Sequence, residues 1–204
     1  MKSFGNYYWP DEDNISPPLV LAEVERLPQY LRHVKSFRTC IQAGGNCGVF
    51  AQALASSFQT IITVEPDPQN MECLRRNATA GNIVAHHAAL GDAPGYMQTF
   101  RQPTQENNFG ATMVQRSETG VPTLIIDDAG LNSVDFIMLD IEGFELQAMR
   151  GAEQTILRCR PVIAAEVKGL GKVHGYTNEM LHDWLDGRGY SMAEAIGKDR
   201  IYTP

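Results

Sequence analysis

The stretch from Thr39 to Phe50, TCIQAGGNCGVF, restricts the folds open to this chain more than any other. A short apolar run at Cys40 and Ile41 enters a glycine-dense turn, Gln42-Ala43-Gly44-Gly45-Asn46-Cys47-Gly48. The turn opens onto a helical pattern at Val49, Phe50, Ala53 and Leu54. Strand, tight loop and helix in that order begin a βαβ unit. Glycine lets the backbone take positive φ and lets a ligand approach main-chain N–H groups with no Cβ in the way. The helix start behind the loop adds unpaired donors. Alone, such a loop is an ordinary βα turn. Glu65 sharpens it, because it closes the next apolar run, Ile61-Ile62-Thr63-Val64. A carboxylate at the tip of the second strand of a βαβ unit can accept both hydroxyls of a ribose. Loop and acid together indicate a nucleoside.

The spelling of the loop selects among nucleosides. Dinucleotide binders use G-x-G-x-x-G, with the third glycine bringing helix close to strand so that a pyrophosphate rests on the helix end. Here the spacing is Gly44-x-Asn46-x-Gly48, and no third glycine follows. That is the x-G-x-[G/N]-x-G spacing of S-adenosylmethionine (SAM) methyltransferases, whose loop wraps the methionine part of a cofactor without phosphate. SAM is therefore preferred to NAD, and an NAD-dependent oxidoreductase is the competing class.

At 204 residues a single domain is expected, 19–204, preceded by an N-terminal segment, 1–18. Lys and Arg number 17 against 24 Asp and Glu, a net charge of −7, which argues against a protein that grips phosphate backbones. MKSFGNYYWPDEDN has neither a basic n-region nor an apolar h-region, and no apolar span is long enough to cross a bilayer. No nucleic-acid partner, no membrane and a cytoplasmic location are expected. The cysteines Cys40, Cys47, Cys73 and Cys159 have no C-x-x-C spacing and are expected as buried free thiols.

Tyr7-Tyr8-Trp9 to Pro17-Pro18 is expected as a frayed or merely packed end, with a fold-back of Trp9 over the site as the alternative. Leu19 to Val34 has helical spacing interrupted by Pro28, predicting one or two short helices over the sheet edge. A helix from Pro68 follows Glu65, then a third strand, Ile83 to Leu90. His86 and His87 within it are structural, since a strand sends neighbours to opposite faces. Tyr96–Phe100, Ala111–Val114 and Val121–Ile126 form a β-rich excursion where a helix would be routine, and such loops commonly form the acceptor pocket. Phe136 to Leu139 is a buried parallel strand that ends at Asp140. Asp140, Glu142 and Glu145 start the next helix. The helix dipole accounts for Glu145 but less well for Asp140 at the lip of the cofactor crevice. A fifth strand at Pro161–Val167, a helix through Leu181 and Leu185, and a closing hairpin complete the chain.

With these residues assembled, the chain resembles the FkbM family of SAM-dependent methyltransferases. The likeness is densest in Gln42 to Gly48, in Val64-Glu65-Pro66-Asp67-Pro68-Gln69-Asn70, and in Leu139-Asp140-Ile141-Glu142-Gly143-Phe144-Glu145 with Gly151-Ala152. It implies a Rossmann-like class I methyltransferase of α/β type: a mostly parallel seven-stranded sheet with an antiparallel last strand, helices on both faces and the β-rich insertion. It implies SAM as methyl donor and a hydroxyl acceptor on a sugar, glycan or related small molecule. By that likeness Glu65 holds the ribose, Gln42, Gly44, Gly45, Asn46 and Gly48 form the methionine loop, and Pro66, Asp67, Ala89 and Leu90 surround the adenine. One departure is Gln42, where the family usually has an Asp that binds the ammonium of SAM. Asp140 could supply the missing charge, and a non-catalytic SAM-binding module is the corresponding alternative. For catalysis, Asp140 and Glu142 are the candidate bases, with Glu166 and His174 behind them. Asp140, Glu142 and Glu166 could converge on a cation, but no ligand spacing demands a metal and none is assigned.

Overall fold

The computed structural model describes residues 1–204. A hairpin of β1 (Lys2–Phe4) and β2 (Tyr7–Trp9) leads to α1 (Ser16–Val24) and α2 (Leu27–Tyr30). The βαβ unit is β3 (Thr39–Ala43), α3 (Val49–Leu54) and β4 (Thr60–Val64), followed by α4 (Pro68–Asn77), β5 (Ile83–His86) and β6 (Ala89–Leu90). The excursion supplies β7 (Tyr96–Phe100), β8 (Met113–Ser117) and β9 (Val121–Leu124). The chain closes with β10 (Phe136–Leu139), α5 (Glu145–Arg150), α6 (Glu153–Cys159), β11 (Val162–Glu166), α7 (Asn178–Asp186), β12 (Ser191–Ile196) and β13 (Asp199–Thr203).

Seven strands form the main sheet in the order β12-β13-β11-β10-β3-β4-β5. β5, β4, β3, β10 and β11 pair in parallel, and β13 is inserted antiparallel between β11 and β12. The strands carry apolar residues toward both faces because helices cover both. Phe136 and Met138 face one core with Leu27, Tyr30, Leu54 and Phe58. Ile137 and Leu139 face the other with Leu146, Met149, Ile156, Leu181 and Leu185. The period of two along β10 thus sets both cores. β6, β9, β7 and β8 form a second sheet, the expected β-rich insertion. No helix is long and apolar enough to cross a membrane.

The N-terminal end is packed, one of its expected forms, and does not fold back over the site: Asn77 bonds both main-chain groups of Tyr8 at 2.8 Å, and Trp9 is fully buried with Cys47, Val49 and Cys73 behind the glycine loop, away from the cleft. Three local expectations change. α2 packs on a sheet face rather than an edge, since Leu27 and Tyr30 supply apolar surface that only the face can bury. The third strand stops at His86, where its partner β4 ends, and Ala89–Leu90 crosses to pair with β9. The helix expected from Asp140 begins only at Glu145, because Glu142 and Gly143 take φ of 54° and 98°, outside the helical region. Cys40, Cys47 and Cys73 are buried and Cys159 partly so, all as free thiols.

Candidate active site

The carboxyl ends of β3, β4 and β10 meet the insertion and α1 around one cleft. This is the crevice where open α/β sheets bind ligands. Gly44, Asn46, Glu65, Pro66, Ala89, Leu90 and Asp140 line it together, although they come from four separate stretches of sequence. Gln42, Gly45, Gly48, Asp67 and Glu142 lie outside its lining.

The loop is shaped from beneath. Gly44 has φ 83°, and a Cβ there would collide with the main-chain carbonyl of Asp140, so β3 and β10 approach only because this residue is glycine. Asn46 holds φ 46°, a region Asn tolerates better than most residues. Gln42 is buried, its carbonyl accepting from Thr63 Oγ1 at 2.6 Å and its amide donating to the Gly44 carbonyl at 2.8 Å. Gly45 has no room for a side chain between Leu74 and Thr63. Asp67 caps α4, accepting from Gln69 and Asn70, and pairs with Arg101 at 3.0 Å. Its backbone, not its carboxylate, serves the site.

Glu65 is 3 % exposed; one oxygen accepts from Asn46 N at 2.6 Å and the other from Asp67 N at 2.8 Å. Burial pushes its carboxyl up to about 8 against the pull of those two N–H groups. A carboxylate has about four acceptor sites. The two backbone bonds therefore leave roughly one site free on each oxygen.

Across the cleft, Asp140 Oδ1 is buried without a hydrogen-bond partner. Glu142 turns away from the cleft to Lys168, whose Nζ lies 2.7 Å from Glu142 and 2.6 Å from Glu166. Oxygens of Asp140, Glu142 and Glu166 all lie within 4.8 Å of one another. Burial and then the Asp140 charge push Glu142 up to about 7 and Glu166 up to about 10. Glu145 is buried, accepting from the N–H groups of Ile141 and Gly143 and from the Tyr176 hydroxyl. It holds the turn below Asp140, a role the dipole argument misses. His174 sets its ring edge-on to Phe144 at 4.9 Å, outside the cleft, and burial lowers its basicity.

Further lining comes from the excursion expected to form an acceptor pocket, with its 107–110 tip, and from α1, which was not expected there. Val20 and Glu23 come from α1, Phe109, Gly110, Thr112 and Val114 from the insertion. The insertion is tied down by Asn70, which donates to the Phe109 carbonyl at 3.1 Å, and by Gly110 N–H, which donates to Ser16 Oγ at 2.8 Å. Its β-rich pattern was the available signal; α1 gave none. Burial, followed by the charges of Asp140 and Asp199, raises Glu23.

Residues 43–192 match the model of the methyltransferase FkbM domain. The chain belongs to the FkbM methyltransferase family. Its fold is similar to that of methyltransferases of known structure. The FkbM methyltransferase of Methylobacillus flagellatus KT superposes with a TM-score of 0.55 at 19% identity, over 87% of this chain and 50% of that one. This FkbM chain thus spans half the length of that relative. Precorrin-6y C5,15-methyltransferase of Geobacter metallireducens GS-15 gives 0.51 at 14% identity, over 96% and 91%. The magnesium protoporphyrin IX methyltransferase of Synechocystis PCC 6803, with SAM bound, gives 0.52 at 10%, over 97% and 85%. At these identities the likeness is one of fold. No protein of curated function matches the sequence. The cleft of this FkbM chain fits SAM, the molecule bound to the Synechocystis enzyme. The free acceptor sites of Glu65 suit a ribose diol, the unpartnered Asp140 Oδ1 suits a cationic group, and the Gly44 turn leaves main chain bare between them.

Proposed function

We propose that this FkbM chain transfers the methyl group of SAM to a hydroxyl on a sugar, glycan or related small molecule in the cytoplasm, by in-line SN2 displacement. The observation that carries the reading is the pairing of Glu65, with acceptor sites to spare, and the unpartnered Asp140 oxygen on opposite sides of one cleft. When bound, the cofactor supplies a methyl already activated by a positive sulfur, so alignment and exclusion of water are the main tasks left to the protein.

Glu65 holds the ribose, and the Gly44–Gly48 loop wraps the methionine part. Asp140 faces the ammonium or sulfonium charge, in the place of the acid that Gln42 lacks. Phe109 and Phe144 close the cleft with apolar surface. Of the two candidate bases, Asp140, which lines the cleft while Glu142 does not, accepts the acceptor's proton. The net charge of −7 favours a small-molecule or glycan acceptor over nucleic acid.

Two measurements test this. Calorimetric titration with S-adenosylhomocysteine (SAH) is expected to give saturable binding, and titration with NADH none; the reverse result supports the oxidoreductase. Transfer of labelled methyl from SAM across a panel of hydroxylated acceptors is expected to label at least one. SAH binding with no transfer to any acceptor supports the non-catalytic module.

A further inference from the structure

Lys168 stands just beyond β11, and no motif in the sequence draws attention to it. Its ammonium is the only cation within 4.0 Å of Asp140, Glu142 or Glu166, and it contacts the last two at once. Those side chains are 8% and 11% exposed, so water screens them little. Glu142 also holds φ 54°, a conformation that a non-glycine residue keeps only when its surroundings over-determine it. The ion pair to Lys168, reaching across from the neighbouring strand end, is part of that restraint.

Three carboxyl groups this close cannot all ionise without a compensating charge. Glu145 adds a further negative charge acting on Glu142, and the Asp140 charge also reaches Glu23 of α1 and Asp199 of β13. The Arg26 charge acts on Glu23 and the Arg200 charge on Asp199, and neither arginine pairs with the three central acids. The negative field around Asp140 therefore rests on one lysine.

We propose that Lys168 is a positioning residue for methyl transfer: by pairing with Glu142 and Glu166 it offsets their charge beside Asp140, the one acid of the three that lines the cleft, so that Asp140 stays a carboxylate able to take the acceptor's proton. This rests on the methyl-transfer reading of the cleft. In the balanced step, the acceptor oxygen forms a bond to the methyl carbon as the carbon–sulfur bond breaks. The electron pair stays on sulfur, which becomes a neutral thioether, and the hydroxyl proton passes to a carboxylate oxygen. Lys168 remains an ammonium throughout. The buried acids already titrate high with Lys168 in place, and its own proton is held more tightly than in a free lysine.

The test follows the Glu142 and Glu166 carboxyl resonances by ¹³C NMR during pH titration of the full chain, assigned with Glu142→Gln and Glu166→Gln. In Lys168→Met the midpoints of the pair are expected to rise by about one unit or more, and Lys168→Arg is expected to restore them. The pH profile of labelled-methyl transfer is expected to shift with those midpoints, and unmoved midpoints or an unshifted profile in Lys168→Met overturn the proposal. Should that variant not fold, the ¹⁵N signal of Lys168 in the wild type decides. A lysine still protonated above its ordinary value of about 10.4 supports the role, and one that titrates at or below that value overturns it. SAH calorimetry on the wild type keeps the claims apart: failure to bind SAH defeats the methyl-transfer reading, whereas the carboxyl titration bears on Lys168.

Discussion

Replacing Glu65 with Gln keeps the shape of the side chain while halving what it can accept. In the wild type each oxygen takes one backbone N–H and has an acceptor site left for a ribose hydroxyl. Hydrogen bonds to a charged group contribute about 1.5–3 kcal/mol each, and neutral ones about 1 kcal/mol. In Glu65→Gln one hydroxyl keeps a neutral bond and the other meets an amide donor, so the loss is about 3 kcal/mol, roughly a hundredfold in Kd. The pH dependence makes this prediction specific. Burial holds the wild-type carboxyl at about 8 in the free protein, and ribose donors favour its ionised form. SAH affinity should therefore rise with pH until about 8 and then level off. Two units below that value, ionising Glu65 costs about 2.7 kcal/mol, which nearly cancels the wild type's advantage. Calorimetry with SAH should thus show the hundredfold gap at pH 9 and near-equality at pH 6. A gap that is the same at both pH values, or under threefold at pH 9, refutes the assignment of Glu65. The same raised value fixes the sign for stability. The folded protein holds a proton that the unfolded chain releases near 4.3, so Glu65's contribution declines as pH rises from there to about 8. Thermal melts of Glu65→Gln should lack that component of the decline.

Gly44→Ala combines a positive φ with a collision against the Asp140 carbonyl, and should weaken SAH binding more than about tenfold by displacing the loop. Calorimetric affinity within twofold of the wild type counts against the close approach. Asp140→Asn should lower labelled-methyl transfer by about 10²-fold or more if the carboxylate takes a proton, with SAM still bound in an equilibrium assay. Undiminished turnover removes that role.

The parts of the site that could be read from sequence end buried strands. A parallel strand covered on both faces is an apolar run, so Cys40–Ile41, Ile61–Val64 and Phe136–Leu139 identify themselves, and the residue after each of the last two, Glu65 and Asp140, falls at the crevice. Gly44 is marked instead by the glycine-dense turn beyond the first run. The turn after Asp140 was not legible in this way. Acids before a helical pattern look like dipole acids, whereas Glu142 and Gly143 leave the helical region and Glu145 folds back to cap the turn. Long-range partnerships leave no local trace either. Lys168 meets Glu142 because β10 and β11 are neighbours, and Glu23 faces Asp140 because α1 packs on α3, a contact its weakly amphipathic pattern does not announce. The N-terminal hairpin was equally hidden: two three-residue strands carry little periodicity, and Trp9 packs on Cys47, Val49 and Cys73 beside a backbone that Asn77 holds from a distant helix.

Gln42 gives the sharpest contrast between family likeness and local chemistry. The likeness assigns an acid here to the cofactor's ammonium, from which Gln42→Asp should tighten binding. The side chain's surroundings argue the reverse. Its carbonyl and amide are both engaged, with Thr63 Oγ1 and the Gly44 carbonyl, and it lies outside the cleft lining. An aspartate is one methylene shorter and has no N–H. The Gly44 carbonyl would lose its donor and face a buried negative charge instead. Leaving a buried acceptor unsatisfied costs about 1–3 kcal/mol, and it does so at the residue whose position fixes the gap between β3 and β10. Gln42→Asp should therefore melt at lower temperature and bind SAH more weakly, by roughly tenfold if about 1.4 kcal/mol of the strain falls on the bound loop. Paired melting curves and calorimetry decide between the two arguments. Tighter SAH binding at unchanged melting temperature would mean that residue 42 reaches the cofactor after all, and that Asp140 does not stand in for the missing acid.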